Sequence, residues 1–305
     1  MHPVWLLVVY SLICVVASLA GGWVPLLVRL THRGMQLAIS FVSGIVLGIG
    51  LLHLLPHSFE SLGSIDRTVL WVLAGFLFMF LLERFFHFHH HDAPEDGLAL
   101  DAPSPEPHSH ERHDHAHHDH AGSRTASAFP WIGVGIGLAL HALVDGVTLA
   151  AAVKADAGHA RELAGIGACL AVALHKPFDS LTIGTLLAAA GRSAASRYVI
   201  NAVYSLVTPL GIVLFYALSP GSTNPQFGLG QTLGFAAGTF LCIATSDLLP
   251  ELQFHRHDRV KLSAALAAGL ALAWSTGFLE TTGHDHFQAP ERSPPAERHD
   301  HNGRS

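Results

Sequence analysis

Apolar residues in this chain neither alternate nor recur on one helical face. They fill continuous windows of about 20 residues, the length a helix needs to cross a bilayer. Eight such windows are predicted as membrane helices, near Val4–Val28, Gln36–His57, Val69–Phe86, Phe129–Val153, Leu163–Ala190, Ala195–Leu218, Phe227–Leu252 and Val260–Glu280. The fold class that follows is all-α, a polytopic helical bundle of eight transmembrane helices. By domains, helices 1–3 are expected over residues 1–86, a disordered histidine-rich cytoplasmic loop over 87–128, helices 4–8 over 129–281, and a flexible extracytoplasmic tail over 282–305.

Two of the windows contain the same pattern. Span two reads Phe41-Val-Ser-Gly44, then Ile49, then His53-Leu-Leu-Pro-His57; span seven reads Phe235-Ala-Ala-Gly238, then Ile243, then Asp247-Leu-Leu-Pro-Glu251, at one constant offset without gaps. Basic residues in short connections mark the cytoplasmic side. They concentrate after the odd-numbered spans (Arg29, Arg33, Arg84, Arg112, Arg124, Arg192, Arg197, Arg256, Arg259, Lys261), against only Arg67, Lys154 and Arg161 after spans two, four and six. Both termini are therefore expected outside the cytoplasm, in the plasma (inner) membrane. The two matching spans then run in opposite directions. That is an inverted repeat, with helices 1–3 and 6–8 around helices 4–5. Ser18-Leu19-Ala20 resembles a signal-peptide cleavage site, but no Lys or Arg precedes the apolar run, so the first span is read as a retained helix.

Composition agrees: the chain is 50% hydrophobic and 13% charged, with a net charge of −6 and 24 histidines. No basic stripe or nucleic-acid motif is present, so nucleic acid is not an expected partner. Three cysteines (Cys14, Cys169, Cys242) all fall in predicted spans and read as small buried residues, not a disulfide framework. Between spans three and four the composition turns abruptly polar, with His87, His89, His90, His91 and Asp92, then His108, His110, His113, His115, His117, His118 and His120. Such a segment has too little apolar surface to fold alone. Its imidazoles, His113, His115, His117, His118 and His120 above all, suit loose buffering of a borderline metal; the bland alternative is a plain linker. The tail repeats the theme with His284, His286, His299 and His301.

The sharpest chemistry lies inside spans four and five. His141 and Asp145, and again His175 and Asp179, stand four residues apart, on one face of a helix, in segments otherwise apolar. Imidazole and carboxylate in hydrocarbon normally face a partner, an ion or water. Four such groups near the midplane suit Zn²⁺ or another divalent transition metal, bound as transported substrate. Two hydrogen-bonded polar pairs that merely hold helices together are the bland alternative. Gly133, Gly135, Gly137, Gly146, Gly165, Gly167 and Gly184 allow close helix approach, and Pro177 interrupts span five between its His and Asp. The polar endings of the repeat, His53 and His57 (with Glu60) on the outer side and Asp247 and Glu251 on the inner, are candidates for a metal access or exit path, or simply interfacial residues.

These residues resemble a family. Gly234-Phe-Ala-Ala-Gly-Thr-Phe-Leu with Asp247-Leu-Leu-Pro-Glu251 is similar to the seventh helix of the ZIP divalent-metal transporters, Leu51-Leu-His-Leu-Leu-Pro-His57 to their second, and His141-Ala-Leu-Val-Asp-Gly146 to their fourth-helix pattern. The resemblance implies metal bound at mid-membrane between helices 4 and 5, with net movement toward the cytoplasm. It also implies His141, Asp145 and Asp179 as ligands and His175 at an adjoining ligand position. The chain departs from the pattern at Ala142, where the family usually has Asn, at Ser180, and at Lys176, which stands where an acidic ligand is usual. The reading is therefore a variant with Lys in the fifth-helix metal motif, Lys176 serving as second-site cation substitute. The expected function is transport of a divalent transition metal, zinc the favoured ion, and no enzyme. Alternatives are a transport-inactive metal sensor and an intramembrane metallohydrolase, the latter lacking any His-Glu-x-x-His helix. Expected partners are divalent metal ions and the lipid bilayer, with a homodimer as a candidate assembly.

Overall fold

The computed structural model describes residues 3–27, 32–86, 130–157, 163–218, 228–248 and 259–280. The histidine-rich loop, the C-terminal tail and Glu251 lie outside the described residues. Among the described residues the secondary structure is entirely helical: α1 (Pro3–Leu27), α2 (His32–Ile49), α3 (Leu55–Leu62), α4 (Ile65–Phe86), α5 (Pro130–Ala157), α6 (Ile166–Ala189), α7 (Ala194–Ser205), α8 (Val207–Leu218), α9 (Leu229–Ile243) and α10 (Arg259–Glu280), with π-helical turns at Gly50–Leu54 and Ala244–Leu248.

Prolines explain several of the breaks. Pro56 cannot donate to the carbonyl of residue 52, and the second span widens into a π-turn just before it, dividing α2 from α3. Pro209 cannot donate to Ser205, where α7 gives way to α8. Among the described residues, seven helices are long and apolar enough to cross a membrane, α2–α3 and α7–α8 each counting as one. The fifth predicted span, α6, is not among them. It has 24 residues, but His175, Lys176, Pro177 and Asp179 dilute its apolar character. Large apolar side chains such as Leu12, Val16, Leu70, Leu73 and Leu77 lie on the outer surface, while small residues such as Ala142, Ala150, Ala171, Ala237 and Ala273 fill the interior. This distribution suits lipid outside and close backbone packing within. Cys14, Cys169 and Cys242 are buried thiols.

Helix contacts follow an inverted symmetry. The closest associations are α2 with α10 and α4 with α9, then α5 with α8 and α6 with α1. Each is the mirror of its neighbour in that order, if spans one to three correspond to six to eight and four to five. The glycines show it atom by atom. A Cβ on Gly44 would strike the Leu266 carbonyl and one on Gly269 the Phe41 carbonyl; in the other half a Cβ on Gly238 would strike the Val72 carbonyl and one on Gly75 the Phe235 carbonyl. These four pairs are related by the same offset as the sequence repeat, and so are the two π-turns.

Gly75→Ala and Gly238→Ala should each destabilise the protein by about 1–3 kcal/mol through backbone overpacking. Gly133→Ala, whose added Cβ would meet nothing within 4 Å, should be nearly silent. Thermal unfolding in detergent reads the contrast, and equal behaviour of all three would refute the packing assignment.

Candidate metal centre

The centre is built by α5 and α6, the fifth and sixth helical segments in chain order because the second span divides in two. Their connection is fixed by Asp156, whose Oδ2 accepts from the Gly165 N–H at 2.7 Å. Gly165 has φ +74°, and a Cβ there would also run into Val153. Each helix is gripped from behind by a partner. Gly146 on α5 packs against the backbone of Thr208 and Gly211 on α8, and on α6 Pro177 packs against Gly21 while Ser180 Oγ shares a 2.8 Å hydrogen bond with Ser18 Oγ.

Held this way, all four predicted ligands meet. One donor atom from each of His141, Asp145, His175 and Asp179 lies within 4.8 Å of the others. Asp145 Oδ2 lies 3.3 Å from His175 Nε2 and 3.4 Å from His141 Nε2, and Asp179 Oδ2 lies 3.6 Å from His141 Nε2. A tetrahedral ion with bonds of about 2.0–2.2 Å holds neighbouring donors about 3.3–3.6 Å apart, and these three of the six separations fall in that range. The tautomer of His175 points the same way. Its Nδ1 lies 2.9 Å from the Ala171 carbonyl, which can only accept, so Nδ1–H donates. The neutral ring then turns the lone pair of Nε2 toward a carboxylate, an arrangement that a cation between them satisfies. Phe240 closes one side, edge-on to His175 with ring centroids 6.3 Å apart.

The reading of a lysine within the fifth-span metal motif is corrected by this geometry. The donor set is imidazole and carboxylate only, and Lys176 is not part of it. An ammonium has no lone pair to give a metal. Lys176, 1% exposed, instead donates from Nζ to Asp145 Oδ2 at 2.5 Å and to Asp179 Oδ2 at 3.2 Å. Tyr204 on α7 was not signalled by any motif: its hydroxyl donates to Asp179 Oδ2 at 3.1 Å and its ring centroid lies 5.6 Å from Lys176 Nζ. A lone tyrosine in an apolar span carries no spacing that would reveal it.

The other sequence candidates lie elsewhere. His53 sits in the first π-turn, with Nε2 2.8 Å from the Ala273 carbonyl and 3.2 Å from Thr276 Oγ1 on α10. His57 stands between two carboxylates, Nδ1 3.2 Å from Glu60 and Nε2 3.2 Å from Asp156, so it links α3 to the end of α5. Asp247 belongs to the second π-turn, its side chain outside the described structure, and Glu251, like His113, His115, His117, His118 and His120, lies outside the described residues.

A bundle of membrane-length helices enclosing a buried cluster of two imidazoles and two carboxylates defines a class: integral membrane proteins with a cluster able to hold a divalent cation. The particular family follows from comparison. Residues 4–275 match the family described as ZIP zinc transporter, and the chain belongs to it. It is 34% identical to zinc transporter ZIP1 of Homo sapiens over 145 residues, 47% of this chain and 42% of that protein. Zinc transporter ZIP9 of Macaca fascicularis is 29% identical over 162 residues, 49% of this chain and 66% of that protein, and zinc transporter ZIP2 of Homo sapiens is 35% identical over 108 residues, 34% of each. The matched stretch thus spans less than half the length of the human ZIP1 protein. Membership agrees with the expectation of a carrier and not an enzyme.

Asp145→Ala should destabilise the protein by about 3–5 kcal/mol, because it leaves a buried ammonium short of its nearest counter-charge. Combining it with Lys176→Met should cost clearly less than the two single changes added together. Unfolding of the four proteins in detergent measures this, and strict additivity would mean the pair is not coupled.

Proposed function

We propose that this chain carries a divalent transition-metal ion across the membrane, with zinc the favoured ion and the cytoplasm the destination. The four-donor cluster of His141, Asp145, His175 and Asp179 is the mid-membrane binding site. The observation that carries this reading is the convergence of those four donors, all within 4.8 Å of one another, at the meeting of two helices from the centre of an inverted repeat. Family membership and the names of the relatives support it.

In this reading α6, the fifth span in chain order, brings the number of membrane spans to eight, its polar residues shielded by α1, α2 and α5. Both termini lie outside the cytoplasm, in the plasma membrane, as the distribution of Arg and Lys indicates. His53 and His57 belong to the outer access path, Asp247 and Glu251 to the inner exit, and the histidine-rich loop buffers metal on the cytoplasmic side. Lys176 acts from outside the donor set, where its ammonium offsets part of the charge of Asp145 and Asp179.

Radiotracer zinc uptake into proteoliposomes tests the proposal directly. Wild type should take up Zn²⁺, and His141→Ala and Asp179→Ala should each be slower by about tenfold or more. Equal flux in all three would refute the site. Metal binding without any flux in wild type would favour a sensor, and a panel of competing divalent ions would rank selectivity.

A further inference from the structure

The C-terminal parts of α1 and α6 and the first turns of α7 enclose a cavity of about 210 Å³. Its α7 wall carries two unsatisfied polar groups. Asn201, 4% exposed, donates from Nδ2 to the Ser18 carbonyl at 3.4 Å. Its Oδ1 is enclosed and has no hydrogen-bond partner among the described residues, and the same is true of Arg197 Nε. Four residues apart, the two side chains share one helix face. A Cβ on Gly22 would strike the Asn201 carboxamide, so α1 leaves room for it. Buried donors and acceptors are normally paired, and here one of each borders the same space.

Charge narrows what could pair them. A guanidinium stays protonated, yet α1 and α7 contain no Asp or Glu. The one acidic residue of α6 is Asp179, already held by Lys176 and Tyr204. The walls therefore supply a cation and no counter-charge. Water could satisfy Oδ1 and Nε–H but would leave that charge unbalanced. The rest of the lining is small or apolar, with Gly21, Gly184, Leu181 and Ala188, and Tyr198 is 41% exposed beside it. Gly21 lies near the end of one apolar span and Arg197 near the start of another, the level at which aromatic and basic residues meet lipid headgroups.

We propose that this cavity binds the headgroup of an anionic, hydroxyl-bearing phospholipid of the phosphatidylglycerol type. Its phosphate accepts from Arg197 in a charge-assisted hydrogen bond, a headgroup hydroxyl donates to Asn201 Oδ1, and the lipid backbone leaves past Leu181 and Tyr198. Choline offers Oδ1 no donor, and ethanolamine would set an ammonium near an unbalanced guanidinium. The guest also sits against the seam of α1 and α6, since Ser180, bonded to Ser18 and next to Asp179, lines the same cavity. The inference needs a chain in a bilayer and no transported ion, so it stands or falls apart from the carrier reading.

Native mass spectrometry of the full-length, delipidated protein in detergent tests it. Wild type should bind one phosphatidylglycerol per chain, about tenfold tighter than diacylglycerol and about threefold tighter than phosphatidylcholine. Arg197→Gln should weaken that binding about tenfold, whereas Arg192→Gln, an exposed arginine at the same end that does not line the cavity, should not. Gly184→Leu covers the case in which Arg197→Gln fails to fold. A Cβ on Gly184 meets nothing within 4 Å, so the larger side chain fills the cavity and removes no polar group. It should abolish the one-lipid adduct and leave the Tm of lipid-free protein near that of wild type. No adduct in wild type, equal binding of phosphatidylcholine or diacylglycerol, equal weakening by the two arginine changes, or an adduct that survives in Gly184→Leu would each overturn the site. Displacement of the lipid by inorganic phosphate would make it a site for free anions and overturn the lipid assignment.

Discussion

A carboxylate and an ammonium cannot stand alone in hydrocarbon, and the ion pair from Lys176 on α6 to Asp145 on α5 is what the middle of this molecule is arranged to enclose. Separated, each group would face a desolvation penalty of several kcal/mol. Together, and with Asp179, His141 and His175 around them, they form a polar kernel that survives only if α5 and α6 stay adjacent at that level. The neighbours meet this requirement with small residues. Gly146 and Gly211 let α8 sit against α5, while Gly21, Ser18 and Ser180 let α1 sit against α6. Where an ordinary membrane helix would offer Leu or Val, these positions have almost no side chain.

The two outer pairs, α2 with α10 and α4 with α9, act as a frame for that kernel. Their glycines meet backbone carbonyls across each interface, in corresponding positions of the two halves. A frame so close-packed is stiff across the interface. The π-turns at Gly50–Leu54 and Ala244–Leu248 are its softer points, because each sacrifices regular backbone bonding on a helix that borders the kernel. Stiff glycine seams beside paired π-turns give both halves the same mechanical plan.

How much of this the sequence shows depends on whether a feature has a spacing. The His-to-Asp steps at 141–145 and 175–179 were legible because a helix places such residues on one face, and the repeat because Phe41, Gly44 and His53 match Phe235, Gly238 and Asp247 in register. The contact of Lys176 with Asp145 was not legible, since a residue next to a motif shows its polarity and not its direction; direction moved it from the metal motif to an ion pair. Tyr204 and Asp156 were invisible for a related reason. Neither belongs to a repeated spacing, and Asp156 sits near a helix end, where acidic residues ordinarily mean only an interface. The division of the second span into α2 and α3 follows from Pro56, but whether a helix answers a proline with a kink, a stop or a π-turn is set by its packing partners.

Charge balance connects the kernel to what it can do. With neutral imidazoles, two carboxylates and one ammonium leave the cluster with a single net negative charge, and a bound divalent cation turns that into a single net positive one. Without Lys176 the same donors would hold two uncompensated negative charges, and a divalent ion would neutralise them fully. In low dielectric that neutral state would be a deep well. In the carrier proposed above, the ammonium would raise that well from the side, setting one fixed like charge beside the four donors. A site for passage needs this compromise: strong enough to strip water from a metal, shallow enough to let it go.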